Sequence, residues 1–437
     1  MLNGKRERRL LAIVLLGLIL RFALLGGAMF QGDVALLHEG DTGTYQALAY
    51  AMAGGDFLFA EGEAKEMAYI RTWGYPLFLA IGYVAGLDDF ATAFLQVLGD
   101  GFAIFLMFRI GERWKAGNEA ALLYAISPLF ISFSFKLVSE SFFIFVFLVA
   151  VWLFFKSMDK PDRKILVMAG LVLGFLILVR PIAIAFPVFF GGVYYWKHRE
   201  WKELAYLLVP AYAVAGLWVV RNLVVLNELS FSRIGTISYA CWTGPLLAND
   251  PQVDTRPWGN VQEELGLRHP DACTRQSYET VQRAAEVTTQ MALHYPSAYV
   301  RHMANAALLL FAPQTPNYVM DILSQERPHL SLILFERGLD SSYLWEQVTR
   351  NGVYFLLLVI FSFYQLVLYA LFTWGVWKSR KGWVLLVLVT VMAAYIVILQ
   401  GPQILFSGYR YRMPIEPLLI IGAAFGLKKF LEERKWK

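Results

Sequence analysis

Runs of apolar residues, each about as long as a helix needs to cross the hydrocarbon layer of a membrane, recur along the 437-residue chain and are separated by short polar segments. They predict spanning helices over Leu10–Phe30, Phe90–Phe108, Glu119–Phe135, Ser141–Phe155, Ile165–Val179, Ile182–Trp196, Leu204–Val220, Gly352–Trp377, Trp383–Leu399 and Met413–Leu427. A further apolar stretch, Tyr75–Leu87, covers only about 20 Å as a helix, short of the roughly 30 Å core. Charge decides whether it crosses. If it does, the basic segments Arg109–Lys115, Lys156–Lys164, Lys197–Lys202, Lys378–Lys381 and Lys428–Lys437 all fall outside; if it lies in the interface or re-enters, all fall inside, as orientation by positive charge requires. The reading is therefore ten spans with both termini in the cytoplasm.

Composition agrees. Hydrophobic residues make up 57% of the chain and charged residues 17%, too few to cover soluble domains. The net charge of +5 reflects basic segments between apolar runs, which orientation in a membrane explains better than nucleic acid. Lys5, Arg6, Arg8 and Arg9 precede the first run and place the N-terminus inside. Gly26-Gly27-Ala28 would suit signal cleavage, but the run is long for a signal peptide, and a retained helix is favoured.

This topology divides the chain into an N-terminal transmembrane module over 1–220, with a first outer loop over 31–89, an outer domain over 221–351 and a C-terminal module over 352–437. The outer domain carries its own helical stretches, Thr274–Leu293 and Ser297–Phe311, and turn signals at Pro245, Pro270, Pro313 and Pro316. The only two cysteines, Cys241 and Cys273, fall there, where a disulfide would persist; a bridge and two buried thiols are both open readings. No tandem repeat is present.

Within the first loop, Asp41 opens a stretch in which Tyr45, Leu48, Ala49 and Met52 share one helical face and Gly54-Gly55 stops it. Such a helix would lie along the membrane surface. Asp41 reads as an N-cap, or as a carboxylate held where a lipid headgroup and a hydroxyl could meet. Six basic residues defy the orientation rule by falling at outer positions: Arg71, Lys136, Arg180, Arg221, Arg410 and Arg412. Singly each could snorkel to headgroups. Together they point to an anionic ligand, and a phosphate suits the bidentate guanidinium. Arg21 and Asp100, inside the first and second spans, read as a structural pair or as cavity lining. Glu140, in the first turn of the fourth span, reads as a helix-start acid or a further site candidate. No histidine or cysteine spacing suggests a metal, and no metal ligand is assigned.

These motifs, in this order, resemble the GT-C superfamily of glycosyltransferases, and within it the bacterial relatives of the protein O-mannosyltransferases and of the lipid A aminoarabinose transferase. The resemblance rests on Asp41-x-x-x-Tyr45-x-x-x-Ala49 with Gly54-Gly55, on Arg71-Thr72-Trp73-Gly74-Tyr75-Pro76, on Ser139-Glu140, Arg180-Pro181 and Trp218-x-x-Arg221-Asn222, and on Arg410-Tyr411-Arg412-x-Pro414. Trp73 stands where the family usually has proline, and Thr42 where many members carry a second acid. The resemblance implies an all-α polytopic membrane enzyme of the cytoplasmic (inner) membrane, with its catalytic face outward. It would take a sugar from a polyprenyl-phosphate carrier and pass it to a glycan, lipid or protein acceptor, with no nucleic acid involved. The family's first-loop catalytic acid falls on Asp41, with Tyr45 and Glu140 as further candidates. No cofactor is required, although a divalent metal bridging Asp41 and the phosphate is compatible with the scheme. Rival classes are a transporter or flippase of an anionic lipid-linked substrate, and a polysaccharide polymerase or ligase. The transporter lacks the expected paired halves. The sugar, acceptor, stereochemistry and lipid length are not encoded in any recognisable pattern.

Overall fold

The computed structural model describes residues 4–59, 61–254, 256, 258–259, 278–323, 349–378 and 382–434. Among the described residues there are helices and no strand. Among the described residues, six helices are long and apolar enough to cross a membrane: Gly4–Gln31, Asp89–Trp114, Ser139–Asp159, Trp201–Leu226, Gly352–Lys378 and Trp383–Gly401. The chain is an all-α, multi-pass membrane protein.

The other four expected spans take different forms. Arg163–Val179 is one helix of 17 residues, close to the lower limit for a crossing. Ile182–Trp196 opens as a 3-10 turn, Pro181–Ala185, and becomes α-helical over Phe186–His198. The last helix is displaced towards the C-terminus, to Glu416–Arg434. Glu119–Phe135 is not one helix but two short ones, Gly117–Ala125 and Pro128–Phe133. Pro128 forces the break: the residue before a proline is driven out of helical geometry, and Ser127 is extended, with φ −64° and ψ 119°. Carbonyls near the break find partners on other helices. Arg21 Nη1 donates to the Ala125 oxygen at 2.9 Å and the Tyr364 hydroxyl to the Leu123 oxygen at 2.8 Å.

The short stretch Tyr75–Leu87 is a helix over Gly74–Val84, about 16 Å long at 1.5 Å per residue and too short to span. The first-loop helix, Thr42–Ala53, does not offer its apolar face to lipid. Tyr45, Leu48, Ala49 and Met52 are all buried within the protein, and the helix packs on Gly74–Val84. Its amphipathic spacing reflects protein packing.

Small residues let helices approach closely, which matters in lipid because apolar side chains alone give helices no reason to prefer one another. Gly170 and Gly174 face the backbone oxygens of Leu207 and Ala211, where a Cβ would come within 2.4 and 2.6 Å. Gly375 meets Gly422 and Gly426 in the same way. Arg21 and Asp100 form a fully buried ion pair, joined by the Tyr124 hydroxyl, which donates to Asp100 Oδ1 at 2.6 Å. Of the two readings of this pair, structural pairing is the one found.

Beyond Leu226, a second hydrophobic cluster gathers Ile237, Cys241, Leu247, Trp258, Val281, Ala284, Met291 and Ala298, separate from the core of the spans. The expected helices appear as Tyr278–His294 and Pro296–Leu310. Cys241 is disulfide-bonded; Cys273 lies outside the described residues.

Candidate active site

Asp41 occupies the cap position of the Thr42–Ala53 helix, yet its side chain caps nothing. The Thr42 hydroxyl accepts from the Glu39 amide at 2.9 Å and donates to the Leu137 oxygen at 3.0 Å, tying the helix start to the segment before it and to Leu137. The Asp41 carboxylate turns instead to two guanidiniums. Oδ1 is paired with Arg71 Nη2, and Oδ2 with Arg410 Nη2 at 2.7 Å. Burial pushes this carboxyl up, but Arg71, Arg410 and Arg180 outweigh it and hold Asp41 well below the usual carboxylate range. Its side chain is 32% exposed, so it remains within reach of a ligand.

Arg71 reaches Asp41 from the turn before the Gly74–Val84 helix. Gly74 lies against the backbone of Leu178 and Val179, where a Cβ would stand 2.6 Å from the Val179 nitrogen. Only glycine permits that approach, and it brings the Arg71 turn beside the end of the helix that delivers Arg180. Arg71 Nε also donates to the Thr44 hydroxyl at 3.0 Å, and its guanidinium lies 4.8 Å above the Tyr45 ring.

Glu140 is almost completely buried, and its Oε1 is shared by Arg180 and Arg410. Its Oε2 has no hydrogen-bond partner among the described residues. Arg180 sits where the Arg163–Val179 helix ends, in extended geometry imposed by Pro181. Its Nη1 lies 3.3 Å from the Ser139 oxygen, to which Tyr45 is joined at 3.0 Å. The segment bearing Lys136, Ser139 and Glu140 is fastened from two sides. The Leu137 amide donates to the Leu37 oxygen at 2.8 Å, and Gln96 donates to the oxygens of Ser134 and Lys136 at 3.0 and 2.7 Å. Lys136 pairs with Glu39 at 3.2 Å and lies 4.7 Å from the Tyr318 ring centre.

Asp41, Arg71, Arg180, Arg410, Glu140 and Tyr45 thus meet at one place, with Lys136 reaching the neighbouring Glu39. Arg221 and Arg412 do not join them. Arg221 is spent on the first loop, with Nε and Nη2 donating to the oxygens of Leu58 and Phe59 and its guanidinium lying over Trp218. Arg412 is fully buried, pairs with Glu416 at 2.7 Å and donates to the oxygens of Leu310, Ala312 and Gln365. Their excess over the orientation rule has a structural cause, which is the need to satisfy buried carbonyls. Two further residues belong to the site without being among the candidates: Ser139, which bridges Tyr45 and Arg180, and Glu39, the partner of Lys136. The adjacency Ser139-Glu140 was the available signal for the first; Glu39 had none.

No curated protein matches the chain. Residues 71–224 match the model of the dolichyl-phosphate-mannose-protein mannosyltransferase family. The matched stretch begins at Arg71 and includes Glu140, Arg180 and Arg221, while Asp41 and Arg410 lie outside it. The match does not separate the protein O-mannosyltransferase relatives from those of the aminoarabinose transferase, but it supports the GT-C resemblance read from the motifs, and with it a membrane glycosyltransferase that uses a polyprenyl-phosphate-linked sugar.

Proposed function

We propose that this protein transfers a sugar from a polyprenyl-phosphate donor to a hydroxyl acceptor at the outer face of the cytoplasmic membrane, with Asp41 as general base. The observation that carries the reading is the convergence of one accessible carboxylate and three arginines, drawn from the first outer loop, the end of the Arg163–Val179 helix and the turn Gly408–Arg412. An acceptor hydroxyl is a poor nucleophile until a base takes its proton. Asp41 receives that proton while the acceptor oxygen bonds to the anomeric carbon. The bond from that carbon to the phosphate oxygen breaks, and its electron pair stays on the phosphate. The leaving group needs charge stabilisation, which Arg71, Arg180 and Arg410 are placed to supply. Glu140 orients two of them. Three guanidiniums around two carboxylates leave positive charge in excess, a donor set unsuited to a divalent cation, so the scheme routes no step through a metal. Hexosyl and pentosyl donors are equally compatible with it.

The transporter reading is less favoured, because Arg21 and Asp100, the intramembrane charges it would use, are buried and paired with each other. The test uses purified protein in nanodiscs with a labelled polyprenyl-phosphate sugar and a mixture of hydroxyl acceptors. Release of unlabelled polyprenyl phosphate with label on the acceptor is expected. Label that crosses or stays on the lipid, with no phosphate released, would sink the proposal.

A further inference from the structure

The donor phosphate and Asp41 require the same guanidiniums. Both oxygens of Asp41 are engaged in the ligand-free structure, Oδ1 by Arg71 and Oδ2 by Arg410. The phosphodiester of the donor offers the same recognition chemistry as a carboxylate, two anionic oxygens that planar arginine donors can meet side by side. Asp41 therefore stands in the position of an internal substitute for the ligand.

The hold on Arg410 is divided. Its Nε is anchored on Glu140 Oε1, while its Nη2 reaches Asp41. Glu140 is almost fully buried and keeps Arg180 on the same oxygen. Arg410 can thus exchange one partner without leaving its anchor. Arg71 has a comparable second hold, through Nε to the Thr44 hydroxyl at 3.0 Å and over the Tyr45 ring. In each arginine the Nε is fixed to the scaffold and an outer nitrogen is lent to Asp41.

We propose that donor binding itself unmasks the base: the phosphate takes the outer nitrogens of Arg71 and Arg410 from Asp41, and the released carboxylate then accepts the acceptor's proton. Donor binding precedes acceptor activation, and an acceptor that arrives alone meets a carboxylate with both oxygens held in ion pairs. This rests on the polyprenyl-phosphate reading above and adds to it a competition inside the site. Before the donor arrives, the two arginines hold Asp41 too acidic to be an effective base. Once their charge is shared with a phosphate, its basicity rises towards that of an ordinary carboxylate. Glu140 is a positioning residue in this exchange, since it keeps Arg410 in place while its outer nitrogen changes partner.

The competition makes a direct prediction about binding. Removing the competitor should tighten phosphate binding. The experiment measures binding of a short-chain polyprenyl phosphate, without sugar, to the full-length protein in neutral-lipid nanodiscs. Wild type, Asp41→Asn and Asp41→Ala are compared, with melting temperature recorded for each. Both variants should bind about tenfold more tightly, the scale of one charged hydrogen bond no longer contested; the alanine variant guards against an effect of the introduced amide. Unchanged or weaker binding in folded variants, with wild type binding saturably, overturns the competition and leaves the donor reading standing. Absence of saturable binding in all three removes the donor reading, and the competition with it.

Discussion

Asp41 and Arg410 stand 369 positions apart in the sequence, and Arg410 Nη2 donates to Asp41 Oδ2 at 2.7 Å. The contact joins the first outer loop to the 3-10 turn Gly408–Arg412, which lies between the last two helices, so the site exists only once both ends of the chain have folded together. Two residues further on, Arg412 is consumed by structure.

That pair of neighbours should separate function from stability. Arg410→Ala is expected to lower transfer by about a hundredfold or more, the scale of losing one preorganised donor to developing charge. The protein should stay folded, because Glu140 keeps Arg180. Arg412→Ala instead strands the fully buried Glu416, and breaking a buried pair from one side costs about 3–5 kcal/mol. Melting curves and initial rates in the same detergent would show whether the two losses divide this way.

The pair Arg21–Asp100 gives a second stability test. Asp100→Ala leaves Arg21 buried without its partner and should cost on the order of 3–5 kcal/mol, whereas replacing both by leucine should restore much of it. Equal losses in the single and double variants would mean that the ion pair contributes little beyond the space it fills.

Arg221→Ala should loosen the first loop rather than weaken donor affinity, since its donors serve the carbonyls of Leu58 and Phe59. Faster proteolysis near Leu58 with unchanged polyprenyl phosphate binding is the expected outcome. Reduced affinity with an intact loop would return Arg221 to the ligand.

Topology is open to direct labelling. Ala85, exposed just after the short Gly74–Val84 helix, should react as Ala85→Cys with an impermeant maleimide from outside intact cells, and Lys160→Cys only after permeabilisation. The reverse pattern would invert every assignment of outer and inner loops.

The legible part of the site was Asp41, with its loop motif, and the arginines that violate the orientation rule. Arg71, Arg180 and Arg410 proved to surround it; Arg221 and Arg412 did not. A charge pattern reports the side of the membrane on which a residue lies, and says nothing of whether a carbonyl already occupies it. The same limit applies to the first-loop helix, whose amphipathic spacing is equally good for lipid and for a neighbouring helix. Hydropathy gives Pro128 little weight and reads Glu119–Phe135 as one span, whereas the proline breaks it between Ala125 and Pro128. Asp41 as a helix cap was the most ordinary expectation for its position. It fails because two guanidiniums outbid a single backbone amide for the carboxylate.

The central claim is that Asp41 takes the acceptor's proton, and the most direct measurement is the rate of sugar transfer from a labelled polyprenyl-phosphate donor by wild type and by Asp41→Asn, side by side. Asparagine caps a helix about as well as aspartate, so a structural role would leave the rate nearly unchanged. A general base lost to an amide should lower it by about a hundredfold or more, with the protein still folded and still binding the donor phosphate. An Asp41→Asn enzyme that keeps most of the wild-type rate would contradict the mechanism.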